Sequence, residues 1–155
     1  MIEVQGLVDF SPEDFTRKHK NQSVWKRTAI IKTGCDLDSY YSWFLKKRFN
    51  LELNKNLRGS HVTIISDRMS RSVFDEGSQL FANKPIKFYY NPFDIGTNGK
   101  HWWLNVTSSD AENIREFLGL SRIPYFGLHL TIGHANEKNI QHSEYILRQL
   151  KKFDI

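Results

Sequence analysis

The chain has 155 residues, 39% hydrophobic and 25% charged, which suits one folded domain with a sizeable core and excludes wholesale disorder. Lys and Arg number 22 against 17 Asp and Glu, and the resulting +5 favours anionic partners such as nucleotides or RNA. The basic residues are dispersed rather than striped, so duplex DNA is not an expected partner, and no apolar run reaches the ~20 residues of a membrane span.

Residues 1–23 are polar and mixed, and fit a flexible N-terminal arm. Within it "SPEDF" has the form of a short helix start, with Ser11 as N-cap, Pro12 at the first helical position and Asp14 reaching back. The opening segment carries acids and no hydrophobic block, unlike a secretory signal. "VWKRTAIIKT", 24–33, is rich in β-branched residues and predicts a strand ended by Gly34. Cys35, the only cysteine, can form no intramolecular disulfide and fits a reducing cytoplasm. Its small side chain is expected to be buried.

Asp36 or Asp38 then caps a helix whose apolar residues, Leu37, Tyr40, Tyr41, Phe44, Leu45 and Phe49, follow a 3.6-residue period. "SHVTIIS", 60–66, predicts a strand. A weaker helix follows around 70–82 through Val73, Phe74, Leu80 and Phe81, with Gly77 against it. "PIKFYY" and "HWWLNVT" predict two strands joined through Asn98-Gly99, a pair that tolerates the positive φ of a hairpin turn. A helix starting at Ser109 or Asp110 puts Ile114, Phe117 and Leu118 inward and ends at Gly119. "FGLHLTIGH" is the last strand, and a closing helix puts Ile140, Leu147 and Leu150 inward. The fold class is α+β, with helices packed on antiparallel or mixed sheets.

Two of these strands share a feature. In "GSHVTIISD" and "GLHLTIGHA", a histidine and a threonine stand two positions apart among aliphatic residues. Residues i and i+2 of a strand share a face. His61 and Thr63 therefore face one way and Val62 and Ile64 the other; His129, Thr131 and Gly133 likewise oppose Leu130 and Ile132. With the aliphatic residues in the core, each His/Thr pair faces a cleft, and Gly133 leaves space beside Thr131. By the same parity His134 does not join that face; a surface or loop role suits it, and it is a bystander. The spacing of 68 residues suits two similar halves related by an approximate two-fold.

The chemistry such pairs serve is P–O bond cleavage. It needs a base for the nucleophile and an acid for the leaving oxygen, and histidine titrates near neutral pH. Each threonine hydroxyl can donate to a non-bridging phosphate oxygen. The catalytic candidates are thus His61, Thr63, His129 and Thr131. A single His-x-Thr is a common chance tripeptide, and a strand histidine is more often structural; the pairing lifts these two above that. His129 and His134 have no carboxylate or cysteine at ligand spacing, so no metal and no other cofactor is expected.

On the hairpin, Lys87, Tyr89, Trp103 and Asn105 share the more polar faces. Lys87 is a candidate phosphate contact, and Tyr89 and Trp103 are candidates to stack on bases, with Tyr125 beside them just before the second motif. Packing under a helix is the competing role for these rings. His19, His101 and His142 have no partner motif.

The motifs His61-Val62-Thr63-Ile64 and His129-Leu130-Thr131-Ile132 resemble the paired H-x-[TS]-x signature of the two-histidine (2H, LigT-like) phosphoesterase superfamily. The resemblance runs over roughly residues 24–134 through motif spacing and element order. It implies two lobes, each a β-sheet with outer helices, around a central cleft carrying both motifs. It also implies metal-independent action on nucleotide phosphodiesters: opening cyclic phosphates, trimming RNA ends or cleaving oligonucleotides. The compact length and "HLTI" are similar to phage anti-CBASS nucleases, which degrade cyclic oligonucleotide immune signals. Leu128 stands where many members carry a proline. The alternative is a protein that sequesters a nucleotide or RNA in the same cleft without turnover.

Overall fold

The computed structural model describes residues 1–10, 27–56, 58–136 and 142–152. They form seven strands, β1 (Ile2–Phe10), β2 (Ala29–Thr33), β3 (Leu53–Lys55), β4 (His61–Ile65), β5 (Pro85–Thr97), β6 (His101–Thr107) and β7 (His129–Ala135). Four helices accompany them among the described residues: α1 (Leu37–Phe49), α2 (Arg71–Phe81), α3 (Ser109–Phe117) and α4 (Ser143–Lys151). The fold is α+β. None of these helices is long and apolar enough to cross a membrane.

The sheet order is β3-β7-β4-β2-β1-β5-β6, and β6 also pairs with β7. Six strands therefore close into a ring, with β3 lying along β7. Every pairing is antiparallel. Residues 2–10, expected in a polar arm, instead form β1 between β2 and β5. The alternation of Val4, Gly6, Val8 and Phe10 with Glu3, Gln5, Leu7 and Asp9, polar but for Leu7, is a weak period-2 signal, and pairing on both edges completes it. The "SPEDF" helix start and His19 lie outside the described residues, as do 24–26 of the expected first strand.

One face of the ring is apolar. Val8, Val62, Phe88, Trp102, Leu104 and Leu130 are fully buried there, in one cluster with Tyr41, Leu45, Phe74, Ile114, Ile146 and Leu150 of the helices. Burial of this cluster is the main favourable term, at ~25 cal/mol per Å² of apolar surface. Helix α2 tolerates Gly77 because the site requires it: a Cβ there would approach Leu118 Cδ2 to 3.0 Å. The hairpin turn has Gly99 at φ 93°, and Asn98 Oδ1 accepts from the Lys100 and His101 amides. Ser108 caps α3 by accepting from the Ala111 amide at 3.1 Å.

Some inward assignments fail. Phe117 is 57% exposed and Leu80 42%, each at the last turn of its helix. Cys35 is exposed in the β2–α1 turn. Asp36 occupies the N-cap of α1 without a side-chain cap bond, while Asp38 is buried. Ile140 lies outside the described residues.

The two halves repeat. A strand, a helix, a motif strand and a helix (β2, α1, β4, α2) recur as β6, α3, β7 and α4. Both helices of the second set begin 72 residues after their counterparts, and in each half the first strand pairs with the motif strand.

Candidate functional site

The motif strands lie side by side. β4 and β7 are antiparallel with Val62 opposite Leu130, the central residue of each motif. A local two-fold axis therefore passes between Val62 and Leu130. Continuing the register one residue either way sets His61 across from Thr131 and Thr63 across from His129. Val62 and Leu130 are fully buried, while all four polar residues are partly exposed on the other face. Diagonal neighbours across such a pair stand ~7–8 Å apart, so the imidazoles flank a space of phosphate size.

Each histidine is held the same way. His61 Nδ1 lies 3.0 Å from the Gly59 carbonyl oxygen and His129 Nδ1 lies 3.1 Å from that of Gly127. A carbonyl only accepts, so Nδ1 carries the hydrogen in the neutral ring and Nε2 keeps the lone pair. Both glycines have φ 71°, a left-handed conformation that turns the carbonyl back toward the ring two residues on. The full repeat is thus G-x-H-x-T, and the glycines are the part of it the motif reading passed over.

A bulge follows each motif. In β4, Thr63 pairs with Ile30 and Ile65 with Ala29, leaving Ile64 unpaired. In β7, Thr131 pairs with Trp103 and Gly133 with Trp102, leaving Ile132 unpaired. A bulge inserts one residue and reverses the alternation after it. Ile64 and Ile65 are consequently both buried, as are Ile132 and Gly133.

This corrects two expectations. His134 is not a bystander on the surface or in a loop: it lies within β7 and lines the same cavity as His61 and Thr131. The missing side chain of Gly133 is not what opens space beside Thr131: Gly133 borders the cavity by its backbone, and a Cβ there would fall 2.6 Å from the Asn54 carbonyl oxygen of β3. Strict parity fails because nothing local in "TIGH" marks the extra residue except the glycine.

Two cavities meet at Thr63. One, of about 480 Å³, is lined by Lys55, Asn56, Arg58, His61, Thr63, His101, Thr131, Gly133 and His134. The other, of about 250 Å³, is lined by Thr63, Ser66, Asp67, Tyr125, Phe126 and His129 with their neighbours. Among the described residues, the first has no carboxylate in its lining. Burial pushes the His61 imidazole below its usual pKa, and Arg58 and His129 push the same way, against the Gly59 carbonyl and Asp38. These shifts favour the neutral form of the His61 imidazole.

The other candidates divide. Trp103 sits across from Thr131 with its ring centroid 6.1 Å from that of His129. Its indole lies over Gly96, where a Cβ would fall 2.3 Å from Nε1, and Nε1 donates to Asn105 Oδ1 at 3.0 Å. Tyr125, 94% exposed, lines the second cavity. Lys87 and Tyr89 face away from the core as expected, but neither lines either cavity. Lys87 Nζ is 2.9 Å from Glu3 Oε1, and that carboxylate raises its pKa.

Arg115, which neither motif includes, holds the site from behind. Fully buried, it donates to the Ile64 carbonyl at 2.9 Å, to both carboxylate oxygens of Asp67 at 2.8 and 3.2 Å, and to the Ser121 carbonyl at 2.7 Å. It thereby ties the bulge of β4 to the loop that leads into β7. An arginine on the buried side of an amphipathic helix is the sequence signal for such a role.

No family model, curated protein or solved structure matches this chain.

Proposed function

We propose that the protein is a metal-independent phosphodiesterase acting on a nucleotide or oligonucleotide, with the two halves forming a two-histidine (2H-type) site. The observation that carries this reading is the dyad: two G-x-H-x-T motifs abut through Val62 and Leu130, each imidazole pinned at Nδ1 by a glycine carbonyl. Each Nε2 is the ring nitrogen opposite that contact, and each ring lies beside the threonine of the opposite motif.

In the reaction, His61 Nε2 takes the proton of the attacking hydroxyl, from water or a neighbouring 2′-OH. The attacking oxygen forms the new P–O bond. The leaving oxygen takes a proton from Nε2 of protonated His129 as its P–O bond breaks. The lowered pKa of His61 supports its role as base, because it favours the unprotonated ring. Thr63 and Thr131 donate hydrogen bonds to the non-bridging oxygens, whose charge grows in the transition state. Solvent then restores the two protonation states. Candidate substrates are cyclic oligonucleotide signals and 2′,3′-cyclic or other RNA ends.

The test is turnover with EDTA present, over a panel of 2′,3′-cyclic nucleotides, cyclic dinucleotides and short RNAs. His61→Ala and His129→Ala are each expected to lower the rate by roughly 10²–10⁴-fold. Tight binding of the panel with no turnover would instead make the protein a nucleotide-sequestering module. Activity surviving both substitutions would refute the site.

A further inference from the structure

The local two-fold makes the two half-sites comparable position by position, and they are not alike. Three residues before the motif histidine stands Arg58 in one half and Phe126 in the other. Five residues after it stands Ser66 in the first motif strand's extension and His134 in the second. Because the strands are antiparallel, these residues sort across the halves: Arg58, His61, Thr131 and His134 line one cavity, and Phe126, His129, Thr63 and Ser66 line the other.

The first half-site is thus basic. Lys55 and His101 join Arg58 and His134 in its lining, and the His101 and His134 ring centroids are 6.2 Å apart. Asp38, whose charge reaches His61, lines a different cavity with Lys46 and Glu52. The second half-site is aromatic: Phe126 is 83% exposed and Tyr125 94%, with rings edge to face at 4.9 Å. A phosphate held between the motifs occupies the dyad itself and does not account for cations at one end only. Cations that gather in a concave site without a carboxylate recognise an anion. Two exposed rings at the other end are a stacking surface for a base.

We infer that the His61 half-site binds a second phosphate of the substrate through Arg58 and His134, with Lys55 and His101 beside them, while Tyr125 and Phe126 stack a base at the opposite end. The inference rests on the phosphodiesterase reading and specifies its substrate: a nucleotide carrying a further phosphate next to the scissile one. That phosphate is either a second phosphodiester or a terminal monoester. The bulge at Ile132 makes the subsite, since without it His134 would point into the core.

The experiment compares three ligands: adenosine 2′,3′-cyclic phosphate, its 5′-phosphorylated form, and a dinucleotide ending in the same cyclic phosphate. Turnover and calorimetric affinity are both measured. A preference of roughly tenfold or more is expected for at least one ligand with the second phosphate. The two such ligands distinguish a monoester from a diester. His134→Ser, which copies the other half, and Arg58→Ala should each collapse the preference toward one, and His134→Lys should retain it. Phe126→Ala should weaken all three ligands alike and leave the preference standing. Equal turnover and affinity for the three ligands would overturn the subsite, as would a preference that survives both His134→Ser and Arg58→Ala. Absence of turnover with the affinity preference intact would overturn the catalytic reading and leave the subsite supported.

Discussion

Gly133→Ala tests the packing that produces the bulge. A Cβ at this position falls 2.6 Å from the Asn54 carbonyl oxygen and 3.1 Å from Leu53 Cβ. Both atoms belong to β3, which pairs with β7 over only three residues, Leu53 with Ala135, Asn54 with His134 and Lys55 with Gly133. A backbone oxygen cannot swing aside as a side-chain tip can, and C···O contacts ordinarily begin at about 3.3 Å. One strand must therefore move by more than half an ångström. Overpacking of this kind costs ~1–3 kcal/mol. Restricting the unfolded chain returns ~0.4–1 kcal/mol. At the middle of both ranges the net loss is about 1.3 kcal/mol, which at ~2–4 °C per kcal/mol for a chain of this length lowers Tm by roughly 3–5 °C.

The assay is thermal unfolding followed by far-UV circular dichroism, with Gly34→Ala as control. Gly34 has nothing within 4 Å of its added Cβ and no positive φ, so alanine there should leave Tm unchanged or raise it. A Gly133→Ala protein as stable as the parent, with Gly34→Ala behaving as expected, would refute the close approach of β3 to the bulge. The same displacement shifts Asn54 against His134, so KM for a substrate with a second phosphate should rise with the loss of stability.

Arg115→Met should cost ~3–5 kcal/mol in chemical denaturation, because it strips a fully buried guanidinium from the Asp67 carboxylate and two backbone carbonyls; a loss below 1 kcal/mol would show that the network is dispensable. The acid limb of kcat/KM should have its midpoint below 6.5, since burial, Arg58 and His129 depress the His61 pKa, and Arg58→Ala should move that limb up. Linkage gives the matching sign for stability. The folded His61 pKa lies below the unfolded one, so its contribution is complete above pH 6.5 and is lost as pH falls through the folded pKa, which His61→Gln should flatten in pH-resolved denaturation. The double variant Tyr125→Ala/Phe126→Ala should raise KM by roughly 5- to 150-fold, at ~1–3 kcal/mol per stacked base, with Tm unmoved because both rings are exposed; an unchanged KM would remove the stacking role.

The sequence determined what depends on near neighbours. Period-2 and period-3.6 patterns placed α1, β4, the hairpin and β7, because burial on one face imposes its period on the chain. The His-x-Thr pairs were legible for the same reason: two residues apart on a strand means one face. β1 was passed over because a polar-looking segment becomes a strand through edges supplied by β2 and β5, which lie far away in the chain. Lys87 and Tyr89 had the expected parity, yet parity says which face and not how far along it, and they lie away from both cavities. What only the tertiary structure decided was register. It set Val62 against Leu130 and so brought together two motifs 68 residues apart. It also inserted one unpaired residue in β7, fixed by the approach of β3 to Gly133, and that single slip turned His134 from the core to the cleft.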